Sequence, residues 1–328
     1  MGATPFFTTP GTSERREEFY RRLKPKNAAP LWGSLADLVL AQPRPFCVPA
    51  LWKYEEIRPL LMESGELISA QEADRRVLMI QNPGLKGVPQ ITQSLYAGLQ
   101  LVLPGEITET HRHKASALRF VIEGDGAYTS VNGTKITMHP GDFILTPSWT
   151  WHDHGNATND PVVWMDGLDI PIVNMMDTSF AEHYPDGTQQ VLREETETPF
   201  SFPYSRSRKA LEQFLASGQI DSWHGVRLHY GDDAGTMPTI DAWLQLLPAG
   251  FGTKPCRSTD ATVFCVTEGH GQTRIGNTTL VWGRHDIFMA PSWEFVSHEA
   301  EAESVLFSFS DRPLQKILGL WREETSEG

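Results

Sequence analysis

An internal repeat constrains the fold of this chain more than any other feature of its sequence. Short stretches of the first half recur in the second half at a near-constant offset, which slips by one residue after a turn. The matched stretches are Leu99-Gln100-Leu101 with Leu244-Gln245-Leu246, Gly105 with Gly250, Glu123-Gly124-x-Gly126 with Glu268-Gly269-x-Gly271, and Pro147-Ser148-Trp149 with Pro291-Ser292-Trp293. Several matches at one offset indicate two copies of a single structural module.

The residues around these matches alternate between short apolar runs and turn residues. Runs rich in Val, Ile, Leu, Phe and Thr are separated by Gly, Pro, Asn and Asp in residues 76–170 and again in residues 239–312. Closely spaced short strands with turn signals between them are typical of β-sandwiches and barrels. The sequence therefore predicts a mainly β chain that contains two barrels of the jelly-roll type.

The remaining segments predict helices and connections. Residues 1–75 predict an N-terminal helical arm, in which residues 1–12 have the composition of a disordered tail. Residues 171–238 are polar and contain prolines, and they predict a linker with one helix near residues 208–216. Residues 313–328 predict a C-terminal helix and tail.

The composition excludes several classes of partner. A net charge of −13 argues against a nucleic acid or an anionic membrane surface. No apolar run approaches the ~20 residues of a membrane span, and the chain starts without the apolar segment of a signal peptide. Three cysteines are too few for a disulfide framework, so reduced thiols and a cytoplasmic location are expected.

Three histidines in the first module have the spacing of a metal site. His111 and His113 are two positions apart on a predicted strand, so their side chains point to the same face. His152 follows on a later predicted strand. Three imidazoles on one side of a metal leave the other side open, as in catalytic rather than structural sites. The spacing alone does not choose between iron, zinc, manganese and nickel.

The second module provides an internal control for this interpretation. The positions equivalent to the three histidines are occupied by Cys256, Ser258 and Val296. Valine cannot bind a metal and a serine hydroxyl is a poor ligand, so the second module is expected to keep the scaffold without the site. The alternative is that the first two histidines lie on the surface of an edge strand and the third is an ordinary core residue.

The segments that carry these histidines resemble the two motifs of the cupin superfamily, which extend here from Gly105 to Gly124 and from Gly141 to Asn156. The superfamily pattern also has a glutamate ligand, but Ala117 stands at that position, so three histidines without a carboxylate are expected. The run from Pro140 to Asn156 is similar to that of the gentisate 1,2-dioxygenase family. This group of bicupins includes salicylate and 1-hydroxy-2-naphthoate dioxygenases. Two further stretches, Leu95 to Gln100 and Ser308 to Pro313, are also similar.

The resemblance implies an extradiol-type ring-cleaving dioxygenase that uses Fe(II) held by His111, His113 and His152. Its substrates would be O2 and an aromatic ortho-hydroxy carboxylate, because the carboxylate and the hydroxyl can chelate the metal. With gentisate, the ring would open between the carboxyl-bearing and hydroxyl-bearing carbons to give maleylpyruvate. The family is commonly tetrameric, so a homo-oligomer is expected.

Three polar residues of the first module are candidates for catalytic roles. Arg119 shares strand parity with His111 and is predicted to face the barrel interior, where it needs a bound anion or an internal acid as its partner. His154 shares a face with His152 and is a candidate hydrogen-bond donor or proton shuttle. His298 at the equivalent position of the second module favours a structural role for it instead. Asp166 resembles an acid that the family places near the site.

The resemblance places four more residues against the substrate, namely Arg75, Tyr96, Gly98 and Gln100. For Arg75 the alternative is a solvated charge beside Arg76. Tyr96 favours gentisate as the substrate, because a bulkier tryptophan is expected there in the salicylate-cleaving relatives.

Three alternatives to a gentisate dioxygenase stay open at this point. The first is the same chemistry on salicylate, a substituted salicylate or 1-hydroxy-2-naphthoate. The second is a non-catalytic bicupin that binds a ligand, since the second module tolerates the loss of its site. The third is a cupin isomerase that uses Zn(II) or Mn(II).

Overall fold

The structure is a computed structural model of the chain that describes residues 10–196, 198–231 and 237–326. These residues form two compact units, one that ends at Arg44 and one that begins at Pro45. The predicted disorder of residues 1–9 lies outside the described residues. Residues 10–12 belong to a helix, so the prediction of a tail is wrong for them.

The first unit is helical, as the sequence predicts. It contains α1 (Pro10–Leu23), 3-10 turns at Lys24–Lys26 and Leu31–Gly33, and α2 (Leu35–Leu38). Phe19 stacks on Trp32 with ring centroids 6.5 Å apart. The indole N–H of Trp32 donates to the hydroxyl of Tyr20 at 3.0 Å. These aromatic contacts attach the second 3-10 turn to α1.

The second unit contains the strands and the other described helices. The helices are α3 (Tyr54–Leu67), α4 (Ala70–Ala73), α5 (Ile170–Met175), α6 (Tyr204–Ala216) and α7 (Arg312–Ile317). The strands up to residue 168 are β1 (Ala50–Trp52), β2 (Val77–Met79), β3 (Tyr96–Val102), β4 (His111–His113), β5 (Ala117–Glu123), β6 (Tyr128–Val131), β7 (Thr134–Thr137), β8 (Phe143–Thr146), β9 (His152–Gly155) and β10 (Val162–Leu168). The later strands are β11 (Ala181–His183), β12 (Arg193–Glu195), β13 (Ser201–Phe202), β14 (Val226–His229), β15 (Asp241–Leu247), β16 (Cys256–Ser258), β17 (Thr262–Glu268), β18 (Gly271–Ile275), β19 (Thr278–Trp282), β20 (Ile287–Ala290), β21 (Val296–Ala300), β22 (Ser304–Ser310) and β23 (Glu323–Thr325). None of the described helices is both long enough and apolar enough to cross a bilayer.

The two modules have the same strand order, which confirms the repeat. The first barrel consists of the sheets β13-β8-β5-β10-β3-β2 and β11-β4-β9-β6-β7-β12. The second barrel consists of the sheets β1-β20-β17-β22-β15-β14 and β19-β18-β21-β16-β23. The successive strands β8, β5, β10, β3 and β2 thus correspond to β20, β17, β22, β15 and β14. The mainly β bicupin architecture that the sequence predicts is confirmed.

Segments outside the repeat contribute edge strands to both barrels. In the predicted helical arm, β1 pairs with β20, and in the predicted linker β11, β12 and β13 pair with strands of the first barrel. In the predicted C-terminal helix and tail, β23 pairs with β16. The sequence did not predict these strands. They are only two or three residues long, so they are too short to show the alternation that identifies a strand.

The large sheets of the two barrels pack against each other through aromatic rings. Phe120 of β5 stacks on Phe307 of β22, with ring centroids 4.2 Å apart. A Cβ atom on Gly167 would lie 2.8 Å from the ring of Phe309, so only glycine allows this close approach. All three phenylalanines are almost fully buried, which makes the contact part of the main hydrophobic core.

Candidate metal centre

The pairing of two short strands brings the three predicted histidines together. His111 and His113 lie on β4, and His152 lies on β9 directly opposite His111. Each of the three offers one ring nitrogen, and these nitrogens lie within 4.8 Å of one another. Three imidazole nitrogens at this spacing suit one metal ion on their open side.

Backbone carbonyls fix the orientation of each imidazole. Each Nδ1–H group donates to a backbone carbonyl oxygen two residues away along the chain, at 3.0 Å for His111, 2.7 Å for His113 and 2.9 Å for His152. The Nε2 atoms of His111 and His152 are buried and have no hydrogen-bond partner among the described residues. Buried polar atoms seldom go without a partner, so a missing ligand is expected at these Nε2 atoms. Histidines that bind a metal through one ring nitrogen typically donate a hydrogen bond from the other, as the Nδ1–H groups do here. The residues therefore fit a bound metal.

Burial keeps the three imidazoles in the neutral form that a metal requires. Desolvation is the largest cause that lowers the pKa of His111 to about 3 and that of His113 to about 4, and the charge of Arg75 lowers both further. Desolvation also holds the pKa of His152 well below its usual value. His111 is only 4% exposed, which excludes the alternative of a surface histidine on an edge strand. Ala117 is buried, and the group contains no carboxylate, as expected.

Arg119 of β5 is opposite Asp166 of β10, and both side chains are buried. The guanidinium Nε lies 3.5 Å from the Asp166 carboxylate, and Nη1 donates to the hydroxyl of Thr146 at 2.6 Å. The indole of Trp164 donates to the same carboxylate at 3.1 Å. Burial lowers the pKa of Arg119 to about 10 and raises that of Asp166 to about 6, and both values leave the pair charged at neutral pH. The internal ion pair that the sequence left open is thus present.

His154 of β9 has its ring 5.8 Å from that of His152, and Thr129 lies 2.9 Å from its Nδ1. In the second barrel, His298 makes the same contact with Thr273 at 2.8 Å. This retention in a barrel without the other histidines supports a structural role for the threonine–histidine pair. The Nε2 of His154 is buried without a partner among the described residues, so this atom is available to a ligand.

Tyr96, Gly98 and Gln100 point to one face of β3 because they alternate along the strand. A Cβ atom on Gly98 would lie 2.8 Å from the Tyr96 hydroxyl and 2.5 Å from a methyl group of Val77. The glycine therefore makes room for the phenol ring. Burial, followed by the charge of Asp166, raises the pKa of Tyr96, so the phenol stays protonated. Gln100 is buried on the same face.

Arg75 and Arg76 are neighbours with different surroundings. Arg76 is buried, and both of its terminal nitrogens donate to Glu106 at 2.9 Å, so its role is structural. The Nε of Arg75 is buried without a hydrogen-bond partner among the described residues, and its only ion pair, with Asp74, is long at 3.7 Å. The charge of Arg75 contributes to the lowered pKa values of His111, His113 and His154. The side chain of Arg75 is 32% exposed, so its charge is partly solvated and partly enclosed.

A cation–π clamp on the outer side of β4 was not predicted from the sequence. The guanidinium of Arg112 lies 4.5 Å from the ring centroid of Trp149 and 4.3 Å from that of Trp151, and it donates to Glu182 at 2.9 Å. The second barrel repeats the clamp at Arg257, which lies 4.4 Å from Trp293. The signal was present in the repeat, because an arginine follows the first ligand position in both modules. A clamp kept by both barrels serves the scaffold rather than the metal.

Comparisons with known proteins agree with this architecture. Residues 98–170 match the model of the cupin domain. Gentisate 1,2 dioxygenase 1 of Aquipseudomonas alcaligenes is 48% identical, over 97% of this chain and 99% of that protein. A 5-aminosalicylate 1,2-dioxygenase of Comamonas sp is 33% identical, over 91% of this chain and 87% of that protein.

Solved structures of one salicylate 1,2-dioxygenase, from Pseudaminobacter salicylatoxidans, have the same fold. One of them is 32% identical and superposes with a TM-score of 0.88, over 98% of this chain and 99% of that chain. The structure of its adducts with gentisate is 30% identical, with a TM-score of 0.92 over 99% of this chain and 97% of that chain.

Proposed function

The chain belongs to the family of gentisate 1,2-dioxygenases and related ring-cleaving dioxygenases, and from this premise we propose that it opens the ring of gentisate at a metal centre in its first barrel. The observation that carries the proposal is the group of three imidazoles, of which His111 and His152 are buried and have an Nε2 without a hydrogen-bond partner among the described residues. The matched relatives are dioxygenases over nearly the full chain, which favours an enzyme over a non-catalytic bicupin.

We propose Fe(II) as the metal and His111, His113 and His152 as its ligands. The histidines themselves accept several metals, so the choice of iron rests on the family. A bound Fe(II) would supply the electron transfer that lets triplet O2 react with a closed-shell aromatic ring. The protein holds the imidazoles neutral and oriented through their Nδ1–H hydrogen bonds.

Arg75 is the best candidate to bind the substrate carboxylate. Both arginines have a buried Nε without a hydrogen-bond partner among the described residues. Arg119, however, has the buried Asp166 as its counter-ion and donates to Thr146, whereas the ion pair of Arg75 with Asp74 is long at 3.7 Å. An arginine with free donors binds a carboxylate strongly, because its planar group matches the two oxygens. Arg119 and Asp166 then act mainly by placing a fixed pair of charges beside the ring.

His154 and the residues of β3 complete the proposed pocket. The free Nε2 of His154 is positioned to hydrogen-bond a bound substrate or its products. Tyr96 and Gly98 define the space for the aromatic ring, and Gln100 lies beside them. A tyrosine in place of a tryptophan leaves room for the additional para hydroxyl of gentisate, which is why gentisate is proposed over salicylate, substituted salicylates and 1-hydroxy-2-naphthoate.

An oxygen-uptake assay tests the proposal. The metal-free protein is loaded anaerobically with Fe(II), Zn(II) or Mn(II) and mixed with air-saturated gentisate or salicylate. Uptake only with Fe(II), one O2 per gentisate, and a higher kcat/KM for gentisate than for salicylate are expected. Equal or better turnover of salicylate would refute the substrate assignment, and absence of uptake with every ring would refute the activity.

We also propose that the protein is a cytoplasmic homotetramer. Its five proposed segments are residues 1–75, 76–170, 171–238, 239–312 and 313–328. Cys47, Cys256 and Cys265 are all free thiols, which supports a reducing compartment. The tetramer rests on the family resemblance. Light scattering coupled to size-exclusion chromatography tests it, and a monomeric mass would overturn it.

A further inference from the structure

The second barrel contains a cavity at the place where the first barrel groups its histidines. Its lining includes Trp223, Arg227, Trp243, Cys256 and His298. The cavity volume is about 70 Å³. One water needs about 10–15 Å³ of such space, so the cavity accommodates roughly five water-sized groups.

The arginine of this cavity, Arg227, is not at the position equivalent to Arg119 of the first barrel. Arg227 pairs with Gln245, as Val77 pairs with Gln100, so it takes the place of a valine. The Arg119–Asp166 pair is replaced by Phe264 opposite Ser308. The second barrel has therefore lost one arginine with its acid and has gained another arginine without one.

Arg227 has no counter-ion in the part of the chain that the structure describes. Its guanidinium lies 4.2 Å from the ring centroid of Trp243, and it makes no described hydrogen bond or ion pair. The buried acid Asp260 is already paired with Arg312 at 3.2 Å. Asp221 and Glu323 are near enough to raise the pKa of Arg227, but neither forms an ion pair with it. Desolvation outweighs them and lowers this pKa to about 10. Arg227 is half-buried and has no ion-pair partner among the described residues, so an anion in the cavity would supply its counter-ion.

The cavity lining also contains the carboxylates of Asp260, Glu294 and Glu323, of which Asp260 is paired with Arg312, and it contains two candidate N–H donors. Thr273 accepts a hydrogen bond from the indole of Trp282 at 2.8 Å, and its hydroxyl lies 2.8 Å from Nδ1 of His298. When Thr273 donates to Nδ1, the neutral imidazole of His298 carries its proton on Nε2. The indole N–H of Trp223 is also buried without a partner among the described residues. A cation and two N–H donors suit an anion, whereas the positions of the lost ligands cannot hold a metal.

We propose that the second barrel binds a small oxyanion of the carboxylate class on Arg227, His298 and Trp223. The volume excludes an aromatic acid, and Trp243 occupies the position at which Gly98 leaves space in the first barrel. The ligand therefore has about five non-hydrogen atoms or fewer. This site is separate from the proposed catalytic centre and does not depend on the metal or on turnover.

Bromide and acetate are suitable probes for the site. Crystals of the full chain are soaked in sodium bromide, and anomalous difference maps are calculated with and without added acetate. A bromide peak beside the guanidinium of Arg227 that disappears with acetate is expected. Absence of that peak in the wild-type protein would overturn the proposal, and this map is decisive even if a variant fails to fold. A peak that acetate does not displace would overturn the carboxylate assignment.

Equilibrium dialysis with radiolabelled acetate tests the site in solution. Acetate also suits the arginines of the first barrel, so the decisive quantity is the number of sites per chain. Arg227→Gln is expected to lower this number by one. Arg274→Gln removes a charge from an exposed position of the same barrel and is expected to leave it unchanged. Equal site numbers in the wild type and Arg227→Gln would contradict the proposal.

Discussion

The buried pair of Arg119 and Asp166 provides a prediction whose control is built into the chain. Both residues are at most 5% exposed, and the pair is replaced in the second barrel by Phe264 and Ser308. Asp166→Ser would leave a buried guanidinium without its counter-ion. Breaking a buried pair in this way costs about 3–5 kcal/mol of unfolding free energy.

The double variant Arg119→Phe with Asp166→Ser copies the second barrel and removes both charges together. Apolar replacement of a buried pair is often neutral or stabilising, so the double variant is expected to be more stable than either single variant. The coupling energy between the two positions should exceed about 2 kcal/mol. Activity is expected to fall in all three variants, because the charges lie beside the proposed substrate pocket.

Urea unfolding of the metal-free protein measures this coupling. A chelator is included, because a bound metal stabilises the folded state independently of the pair. Tryptophan fluorescence and circular dichroism should follow one transition with similar m-values in the four proteins, so that their free energies can be compared. If the changes in unfolding free energy of the two single variants add up to that of the double variant, the two charges are not coupled. This result would refute the argument that each buried charge needs the other as its counter-ion.

Three further predictions concern the histidines, the arginines and the effect of pH. His111→Ala is expected to abolish both metal binding, measured by elemental analysis, and turnover, while the circular dichroism spectrum stays unchanged. Cys256→Ala at the equivalent position of the second barrel should leave metal binding and turnover unchanged. A His111→Ala protein that still binds a full complement of metal would refute the ligand assignment. Arg75→Ala should raise the KM for gentisate about tenfold or more with a smaller effect on kcat, whereas Arg76→Ala should mainly lower the unfolding temperature. The reverse result would contradict both assignments and would make Arg76 the residue that binds the substrate carboxylate. The lowered pKa values of His111 and His113 mean that the unfolded chain binds more protons than the folded one below about pH 6.5, so stability of the metal-free protein should fall as the pH is lowered from 6.5 toward 4. Urea titrations at several pH values measure this change, and the unfolding free energy of His111→Ala should depend less steeply on pH than that of the wild type. An identical dependence on pH in the two proteins would contradict burial of the imidazoles as the cause.

The sequence by itself determined the features that depend on local patterns and on the repeat. Alternation along short strands predicted the two barrels, and residues two positions apart predicted a shared face for His111 and His113. The substitution of Val296 for His152 predicted that only one barrel groups the histidines. These inferences succeed because strand geometry fixes side-chain direction without knowledge of the partners, and because the second copy reveals which residues the scaffold itself requires.

Only the tertiary structure decided which charges have partners. The register between β5 and β10 gives Arg119 its acid, and this pairing does not follow from spacing along the chain. Arg227 takes the place of Val77, because the two residues pair with the equivalent residues Gln245 and Gln100 of the neighbouring strand. This equivalence does not follow from alignment of the repeated motifs. The physical reason is that a buried charge depends on residues from other strands and on how much water they exclude, and long-range pairing fixes both.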